Sequence, residues 1–465
     1  MGSFGTLNIA YTGLSTHARR IDVIGENIAN ASTPGYRRRR VDLSAIEGPN
    51  SVGVFSGADR VGRGVEIDSI QRVIDPILEQ HARLEAGRAA ELNVTAEALG
   101  ELEQRWNAYV DGGLNQSLLA LGDSFDDLVN NPQSSASRIL ALQTAENAAA
   151  EIRHAASEGK DVATSLSERA TTLVDRANSV SASIAALQTP IAAARAAGAD
   201  ASSLEDERDR LIDELTSITN GSVIYDDHGG VRVTVDGYPL VADGRASPLV
   251  ATTVPDPGMP AGLDRLVIST TDGRELSLRG GDLAGTQQAA NILLPEQLRS
   301  LDQLATDIAA GFNAIHVTGQ GTDGVSGRNL FDASAGAGGF VVSADVAGTP
   351  ANLAVAAAGA GGYDTTTAEQ LAAFMDGSAG PLNEWRDLVA NLAGLTAGSR
   401  VRAAAAVDSA MAAEQQRVAA SGVSLDEEMT ELIAAQRSYE AAARVISTVD
   451  GMLDTLINRT GLVGR

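Results

Sequence analysis

Cysteine is absent from this chain of 465 residues. Its absence excludes disulfide bonds, thiolate metal sites and cysteine nucleophiles. Aromatic residues make up only 3% of the chain, so we expect slim helices packed through small side chains rather than a thick aromatic core. No apolar run approaches the roughly 18 residues that span a bilayer, and the N-terminus lacks the apolar segment of a cleavable signal peptide. The sequence therefore predicts no membrane insertion, and either a cytoplasmic protein or one exported without such a signal.

Positive charge is also scarce, with 35 Lys and Arg against 60 Asp and Glu, for a net charge of −25. Phosphate repels such a surface, so we expect no nucleic-acid partner. The five histidines are scattered without metal-ligand spacing, no nucleophile elbow frames a serine, and the glycine-rich stretches lack the spacing of a phosphate loop. We therefore predict a protein that is not an enzyme, with no catalytic residue, metal or cofactor.

What the chain does have is a seven-residue repeat of apolar side chains at its N-terminus. The repeat runs through Leu7, Leu14, Ile21 and Ile28, with Phe4, Tyr11, Ala18 and Gly25 three residues before each. This spacing is typical of a helix that pairs with another helix along one stripe. Pro34 and Gly35 end the helix, because proline disfavours helix in the residue before it.

The C-terminal segment carries the same repeat. It runs through Leu425, Leu432, Tyr439, Ile446 and Leu453, with Met429, Gln436, Ala443, Asp450 and Ile457 at the companion position. A lone helix of this kind does not clearly recover the roughly 1–2 kcal/mol per residue that ordering costs, so each end needs a partner. Residues 1–40 hold six arginines and two acids, whereas residues 424–465 hold four arginines and seven acids. Opposite charge favours pairing of the two ends, although exposed ion pairs are weak.

Paired ends are compatible with two kinds of molecule. One is a monomer with a long antiparallel helix pair and no assembly role. The other is a subunit of a tubular polymer, in which the same stripe also faces neighbouring copies. Periodicity alone does not separate these alternatives.

Composition divides the remainder into a helical and a β-rich part, and the fold class that we predict is mainly α. We expect a terminal coiled-coil core at 1–45 and 424–465, a helical rod-like domain at 46–221 and 366–423, and a β-rich insertion at 222–365 with one helix at about 296–316. The interior coiled-coil pattern is clearest in the alanine-rich stretch from Ala163 to Ile191. Asp226 to Gly230 reads as a hairpin turn between two alternating strands.

Two charged clusters invite other interpretations. The arginines Arg37 to Arg40 could contact a neighbouring subunit or the acidic C-terminal helix, or could simply form a solvated run. Asp206, Arg208 and Asp209 share a helix and could suggest acid–base chemistry, but an ion-pair network that fixes the helix end is the simpler account.

Several stretches resemble a known family. The residues from Asn27 to Arg37 look like the N-terminal signature of flagellar rod, hook and hook-associated proteins, and the stretches 422–428 and 436–446 resemble its C-terminal half. Asn131-Pro132 with Arg138, the stretch 204–209, and the stretches 301–305 and 313–316 resemble the hook-associated protein 1 family, whose members join hook to filament. The nearest alternatives are hook protein or hook-associated protein 3. A coiled-coil binding module is the alternative from another class.

The resemblance implies a structural role in the bacterial flagellum, outside the cell, after export through the flagellar secretion apparatus without a cleaved signal. The implied partners are further copies in a ring or short tubular layer, hook protein, hook-associated protein 3, and an export chaperone for the C-terminal segment. It also implies ends that are flexible before assembly. We expect the assembly interface to consist of the two stripes and the turn after the first helix: Leu7, Tyr11, Leu14, Ile21, Ile28, Asn30, Thr33, Pro34, Gly35, Tyr36, Leu425, Met429, Leu432, Tyr439, Ile446 and Leu453.

Overall fold

A computed structural model describes residues 3–33, 35–46, 62–107, 112–226, 229–378 and 380–459. Most of these residues are helical, which confirms the predicted mainly α fold. The helices in these ranges are α1 (Ser3–Ala29), α2 (Pro76–Asn107), α3 (Gly113–Asn130), α4 (Ser135–Ala196), α5 (Ser202–Thr219), α6 (Gly281–Gln288), α7 (Leu294–His316), α8 (Thr366–Asp376), α9 (Pro381–Ser421) and α10 (Leu425–Asp454).

The strands are short and pair only in small antiparallel sheets. They are β1 (Arg39–Ala45), β2 (Val65–Arg72), β3 (Ser222–Tyr225), β4 (Val231–Val235), β5 (Tyr238–Ala242), β6 (Arg245–Ala246), β7 (Leu249–Val254), β8 (Arg265–Thr270), β9 (Gly319–Gln320), β10 (Phe331–Asp332), β11 (Val341–Val342) and β12 (Ala356–Ala357). The largest sheet has the order β3-β4-β5-β6, and β1-β2, β7-β8, β10-β11 and β9-β12 form two-stranded sheets.

Two long helices from opposite halves of the chain, α2 and α9, pack antiparallel. The Thr396 hydroxyl lies 3.4 Å from the Leu99 carbonyl oxygen. The Trp106 and Trp385 rings, both fully buried, lie 6.0 Å apart at their centroids. Aromatic pairs of this kind add to the free energy gained by burial, so this contact ties the two halves together.

The segment that follows α1 and the segment that precedes α10 lie next to each other. The Arg38 backbone N–H donates to the Ser421 carbonyl oxygen at 3.0 Å, so the segment after α1 lies beside the end of α9. Gly422 interrupts the helix between α9 and α10. The backbone therefore passes from the terminal helices to the rest of the molecule and back again through two adjacent segments.

The alanine-rich repeat predicted as an interior seam lies on α4, a helix of 62 residues. Ala170, Ala177, Val180 and Ile184 of this repeat are buried. They belong to one continuous hydrophobic core that also holds residues of α3, α5, α7 and the β3–β6 sheet. The β-rich segment thus shares its core with the helices, and the predicted division into three domains stays a prediction.

The β-rich segment holds more helix than the sequence pattern indicates. A helix was expected at about 296–316, but the helical stretch starts at Gly281 and passes through a π-helical turn at Ala289–Leu293. Pro295 looks like a helix start, yet it stands directly after the π turn, where the hydrogen-bond register already changes. The predicted pairing of the two strands is confirmed, because β3 and β4 pair antiparallel and the Asp226 N–H donates to the Gly230 carbonyl oxygen at 3.0 Å. Asp227 and His228 of the predicted turn lie outside the described residues.

Two side chains at the end of α7 hold the loops that follow it. The Asn313 side chain donates to the Phe331 carbonyl oxygen at 2.8 Å and accepts from the Leu330 N–H at 2.7 Å. His316 is buried, its Nδ1 lies 2.7 Å from the Arg328 carbonyl oxygen, and its Nε2 accepts from the Ala354 N–H at 2.9 Å. Burial lowers the pKa of His316, so the neutral ring with a proton on Nδ1 satisfies both contacts.

Candidate assembly interface

The two ends of the chain form an antiparallel helix pair, α1 with α10. The Asn27 side chain donates to Glu428 at 3.0 Å, Arg20 pairs with Glu431 at 3.1 Å, and a Cβ placed on Gly13 would lie 3.9 Å from that of Ala442. Contacts thus move backwards along α10 as they move forwards along α1. The predicted pairing of the chain ends is present within a single copy.

Asn27 is the hub at the base of the pair. Its Nδ2 donates to the Arg39 carbonyl oxygen at 2.9 Å and to Glu428 Oε2 at 3.0 Å. Its Oδ1 accepts from the Tyr36 hydroxyl at 2.9 Å and from the Arg39 N–H at 3.0 Å. One buried amide therefore joins α1, the turn, β1 and α10 with its hydrogen-bonding capacity filled.

Arg38 faces three carboxylates at the start of α10. Its guanidinium contacts Glu428 at 2.7 Å, Glu427 at 2.8 Å and Glu431 at 3.4 Å. Glu428 is 1% exposed, and a buried carboxylate is costly unless charged or polar partners surround it. The interpretation that the arginine run contacts the acidic C-terminal helix is confirmed for Arg38.

Arg37 ties the turn to the helical part of the molecule. It contacts Glu79 of α2 at 2.8 Å, and Arg83 and Arg417 approach the same carboxylate at 3.4 Å and 3.2 Å. Burial raises the pKa of Glu79 to about 7, and Arg37 and Arg83 oppose that rise. Because Arg417 belongs to α9, this cluster fixes the turn against both long helices.

Arg72, at the end of β2, faces the start of α5. It contacts Glu205 at 2.8 Å, Asp206 at 3.0 Å and Asp209 at 2.7 Å. Burial acts to raise the pKa of Asp209, but the guanidiniums of Arg72 and Arg208 hold it below its usual value. The predicted ion-pair network at this helix end is confirmed, and it holds the β1–β2 hairpin against α5.

The turn after α1 uses most of the residues expected there. The Asn30 side chain donates to the Glu26 carbonyl oxygen at 3.0 Å, and the Thr33 hydroxyl donates to Asn30 at 3.2 Å. Gly35 has a φ of +81°, a conformation that favours glycine. Burial raises the pKa of Tyr36 to about 12, so its hydroxyl remains a donor to Asn27. Pro34 lies outside the described residues.

The two heptad stripes do not form the centre of this helix pair. Their members are only half-buried or exposed: Leu7, Leu14, Ile21, Ile28, Leu432, Ile446 and Leu453 are half-buried, and Tyr11, Leu425, Met429 and Tyr439 are exposed. The buried positions are instead small, polar or off-register: Ala10, Thr16, Val23, Ile24, Asn27, Glu428, Ala435 and Val449. Small side chains let the helix backbones approach, and Arg38 and Asn27 draw Glu428 inward, which rotates both stripes away from the centre.

The exposed parts of the two stripes lie on the same side of the pair. With about 100° of rotation per residue, both stripes are displaced from the contact line by roughly a quarter to a third of a turn in the same sense. In an antiparallel pair this places them side by side. We call this surface the open apolar face: Phe4, Tyr11, Leu425, Met429 and Tyr439, whose exposed fractions run from 37% to 73%.

The face offers apolar contact area. Among the described residues there is no cluster of side chains that could hold a metal ion. Within the same ranges no helix has the length and apolar character required to cross a membrane.

Sequence reasoning missed Asn27 and Glu428 as functional residues, although both lie in the stretches that resemble the flagellar signature. The one feature of the sequence that could have indicated either residue is that it is polar and stands at the edge of an apolar repeat. Its meaning depends on partners 12 and 401 residues away in the chain, which periodicity does not reveal.

Comparison with known proteins gives the following similarities. The family model for the flagellar hook-associated protein FlgK helical domain matches residues 99–331, which is half of the chain. The flagella basal body rod protein model matches residues 7–37, and the model for the C-terminal part of flagellar basal body rod FlgEFG proteins matches residues 414–459.

The chain is also similar to individual proteins. Flagellar hook-associated protein 1 of Bacillus subtilis is 29% identical over 507 residues, covering 100% of this chain and 99% of that protein. Its counterpart in Salmonella typhimurium is 26% identical over 334 residues, covering 70% of this chain and 59% of that protein. A solved structure of the flagellar hook junction protein FlgK from Burkholderia pseudomallei is similar with a TM-score of 0.48 and 20% identity, over 54% of this chain and 46% of that one. Because the hook-associated family model covers half of the chain, the chain belongs to the flagellar hook-associated protein 1 family, whose members are structural proteins of the flagellum.

Proposed function

We propose that this protein is a structural component that joins hook to filament, and that it assembles by packing its open apolar face against neighbouring subunits. The observation that carries the proposal is that both chain ends contribute to one exposed apolar surface although they already pair with each other. Contiguous exposed apolar surface marks an interaction site in most soluble proteins. In this proposal the predicted interface residues of the two stripes form the edges of the open apolar face. Those of the turn after α1 support the end of the helix pair.

The two ends of the α1–α10 pair have different roles in this mechanism. The base is the end that holds Asn27 and Glu428, and the tip is the opposite end, which holds Phe4 and Met452. At the base, Asn27, Arg38 and Glu428 hold α1 and α10 together within one copy. Towards the tip, Phe4, Met452 and Leu456 are 57–73% exposed, so neighbouring copies supply the missing burial. Folding of the tip is thereby coupled to assembly, whereas the base is formed beforehand.

The partners in this proposal are further copies in a ring or short tubular layer, hook protein on one side and hook-associated protein 3 on the other. An export chaperone would take the C-terminal segment before assembly, and the chain would leave the cell through the flagellar secretion apparatus without a cleaved signal. The rod and hook family models match only the ends, at residues 7–37 and 414–459, which favours this role over that of hook protein.

Complementation with Met429→Asp tests the proposal. Met429 is 50% exposed on the open apolar face, and Val401→Asp provides a control at a site that is 70% exposed on α9. In cells that lack the native gene, we expect both variants to be exported and soluble. Only Met429→Asp should shed its filaments, because it places a charge in an apolar contact. Filaments attached normally by Met429→Asp and by the half-buried Leu432→Asp would refute the role of the face.

A further inference from the structure

His17 lies in the contact between the two terminal helices. On α1 it stands between Gly13 and Arg20, four residues after the first and three before the second. A Cβ on Gly13 would lie 3.9 Å from that of Ala442. The Arg20 guanidinium pairs with Glu431 at 3.1 Å. Residues three and four apart share one side of a helix, so the imidazole of His17 faces α10, about halfway along the pair.

One nitrogen of the His17 ring has no hydrogen-bond partner. Its Nδ1 is buried, and no described residue donates to it or accepts from it. A neutral imidazole tolerates this position, because it can carry its proton on Nε2 and leave Nδ1 as an acceptor. A protonated imidazole has an N–H group on both ring nitrogens, and a buried N–H group without an acceptor is costly.

The groups that face His17 do not compensate a second positive charge. Arg20 lies one turn further along α1, and Glu431 of α10 is already engaged by Arg20 and by Arg38. Ala435, the buried residue of α10 at this level, carries no charge. Burial, and then the positive charge of Arg20, lower the pKa of His17.

The other charged groups at this level are exposed. The β1–β2 hairpin packs against the adjacent side of α1, where the Thr16 hydroxyl lies 3.5 Å from the Val65 carbonyl oxygen. The exposed charged residues of α1, the hairpin and α10 near this level are Arg19, Asp22, Arg63, Glu66, Asp68, Arg437, Glu440 and Arg444. None of them is a hydrogen-bond partner of the His17 Nδ1.

We propose that His17 is a pH-sensitive switch of the terminal helix pair. The ring of an opened pair has the ordinary pKa of about 6.5 and takes up a proton below it, whereas the closed pair disfavours that proton. Closure is therefore fully favoured above this pH and is weakened as the pH falls below it. Acid thus loosens α1 from α10. The loosening does not depend on the proposed function, and only its effect on filament attachment rests on that function.

Hydrogen exchange of the purified chain at pH 7.5 and pH 5.5 tests this inference. The protection of the amides of residues 14–21 is compared after each rate is divided by the intrinsic rate at the same pH. We expect protection to fall at pH 5.5, by no more than about tenfold, which is the limit for one group with a free pKa of about 6.5. His17→Gln should keep the same protection at both pH values. His81→Gln, which changes an exposed histidine of α2, should respond to pH like the unaltered chain.

A disulfide across the pair gives a second control, because the chain has no cysteine of its own. Gly13→Cys with Ala442→Cys places two Cβ atoms 3.9 Å apart, within the range of a disulfide. The oxidised form should keep its protection at pH 5.5, and reduction should restore the fall.

Two results would overturn the inference: an equal fall in protection in the unaltered chain and in His17→Gln, or a pair that is already unprotected at pH 7.5. Normal filament attachment by Met429→Asp would instead count against the proposed function and leave the exchange result unaffected.

Discussion

Replacing Asn27 by alanine should open the base of the terminal helix pair without unfolding the molecule. The change removes four hydrogen bonds, among them the 3.0 Å bond to the buried Glu428 and those to Tyr36 and Arg39. A neutral hydrogen bond contributes about 0.5–1.5 kcal/mol net and one to a charged group about 1.5–3 kcal/mol. Glu428 keeps Arg38, and water enters the vacated space, so we expect a loss of about 3 kcal/mol in the free energy of opening.

Hydrogen exchange of the first turns of α10 measures this opening. A loss of about 3 kcal/mol corresponds to roughly hundredfold faster exchange. Asn30→Ala is the matched control, because the Asn30 side chain lies one turn further along and makes only exposed hydrogen bonds, to Glu26 and Thr33. We expect it to change exchange by less than about fivefold, from a loss below roughly 1 kcal/mol. Equal effects of the two substitutions, or an unprotected base in the unaltered chain, would contradict the assignment of Asn27 as the hub.

Three further outcomes follow from the structure. Trypsin should cut the free chain at the exposed Arg19 and Arg437 before it cuts the helical middle, and assembled flagella should be protected at both sites. Lowering the pH from 7.5 to 5.5 should reduce the contribution that His316 makes to the free energy of unfolding, because burial holds its folded pKa below the unfolded value of about 6.5. This contribution is present above the unfolded pKa and is lost as the pH falls. The His316→Asn variant should lack this component in denaturant titrations at the two pH values. Gly285→Ala should cost about 1–3 kcal/mol, because its Cβ would lie 2.5 Å from the Glu91 carbonyl oxygen. Gly394→Ala, in a helix with open space, should instead add up to about 1 kcal/mol.

The terminal heptads predicted two helices and their pairing, but not which face each helix turns to its partner. The spacing of apolar residues is the same whether a side chain such as Tyr11 contacts its own chain or a neighbouring copy, so it does not distinguish the two. The rotation of the pair is decided by Asn27, Arg38 and Glu428, which are polar and distant from one another in sequence. In the proposed assembly, the exposed half of each stripe would meet a neighbouring copy.

The helical middle was predictable because α4 keeps one apolar register over many turns. The start of the α6–α7 stretch was not, because Gly281 and Gly285 look like loop residues. The structure gives Gly285 a different reason, namely close approach of α6 to the backbone of α2. Glycine is ambiguous in sequence, since chain reversal and tight helix packing both select it.

The place beside Arg38 and Ser421 where the backbone leaves and re-enters the terminal helices has a consequence for how the chain can vary. Because the chain departs and returns through adjacent backbone, its two covalent connections to the terminal helices lie side by side. Segments could be gained, lost or exchanged far from that point without altering the spacing of the two terminal helices. A chimaera joined at residues 38 and 421 would therefore have to retain the backbone at residue 39, which Asn27 binds, and Glu79, which pairs with Arg37.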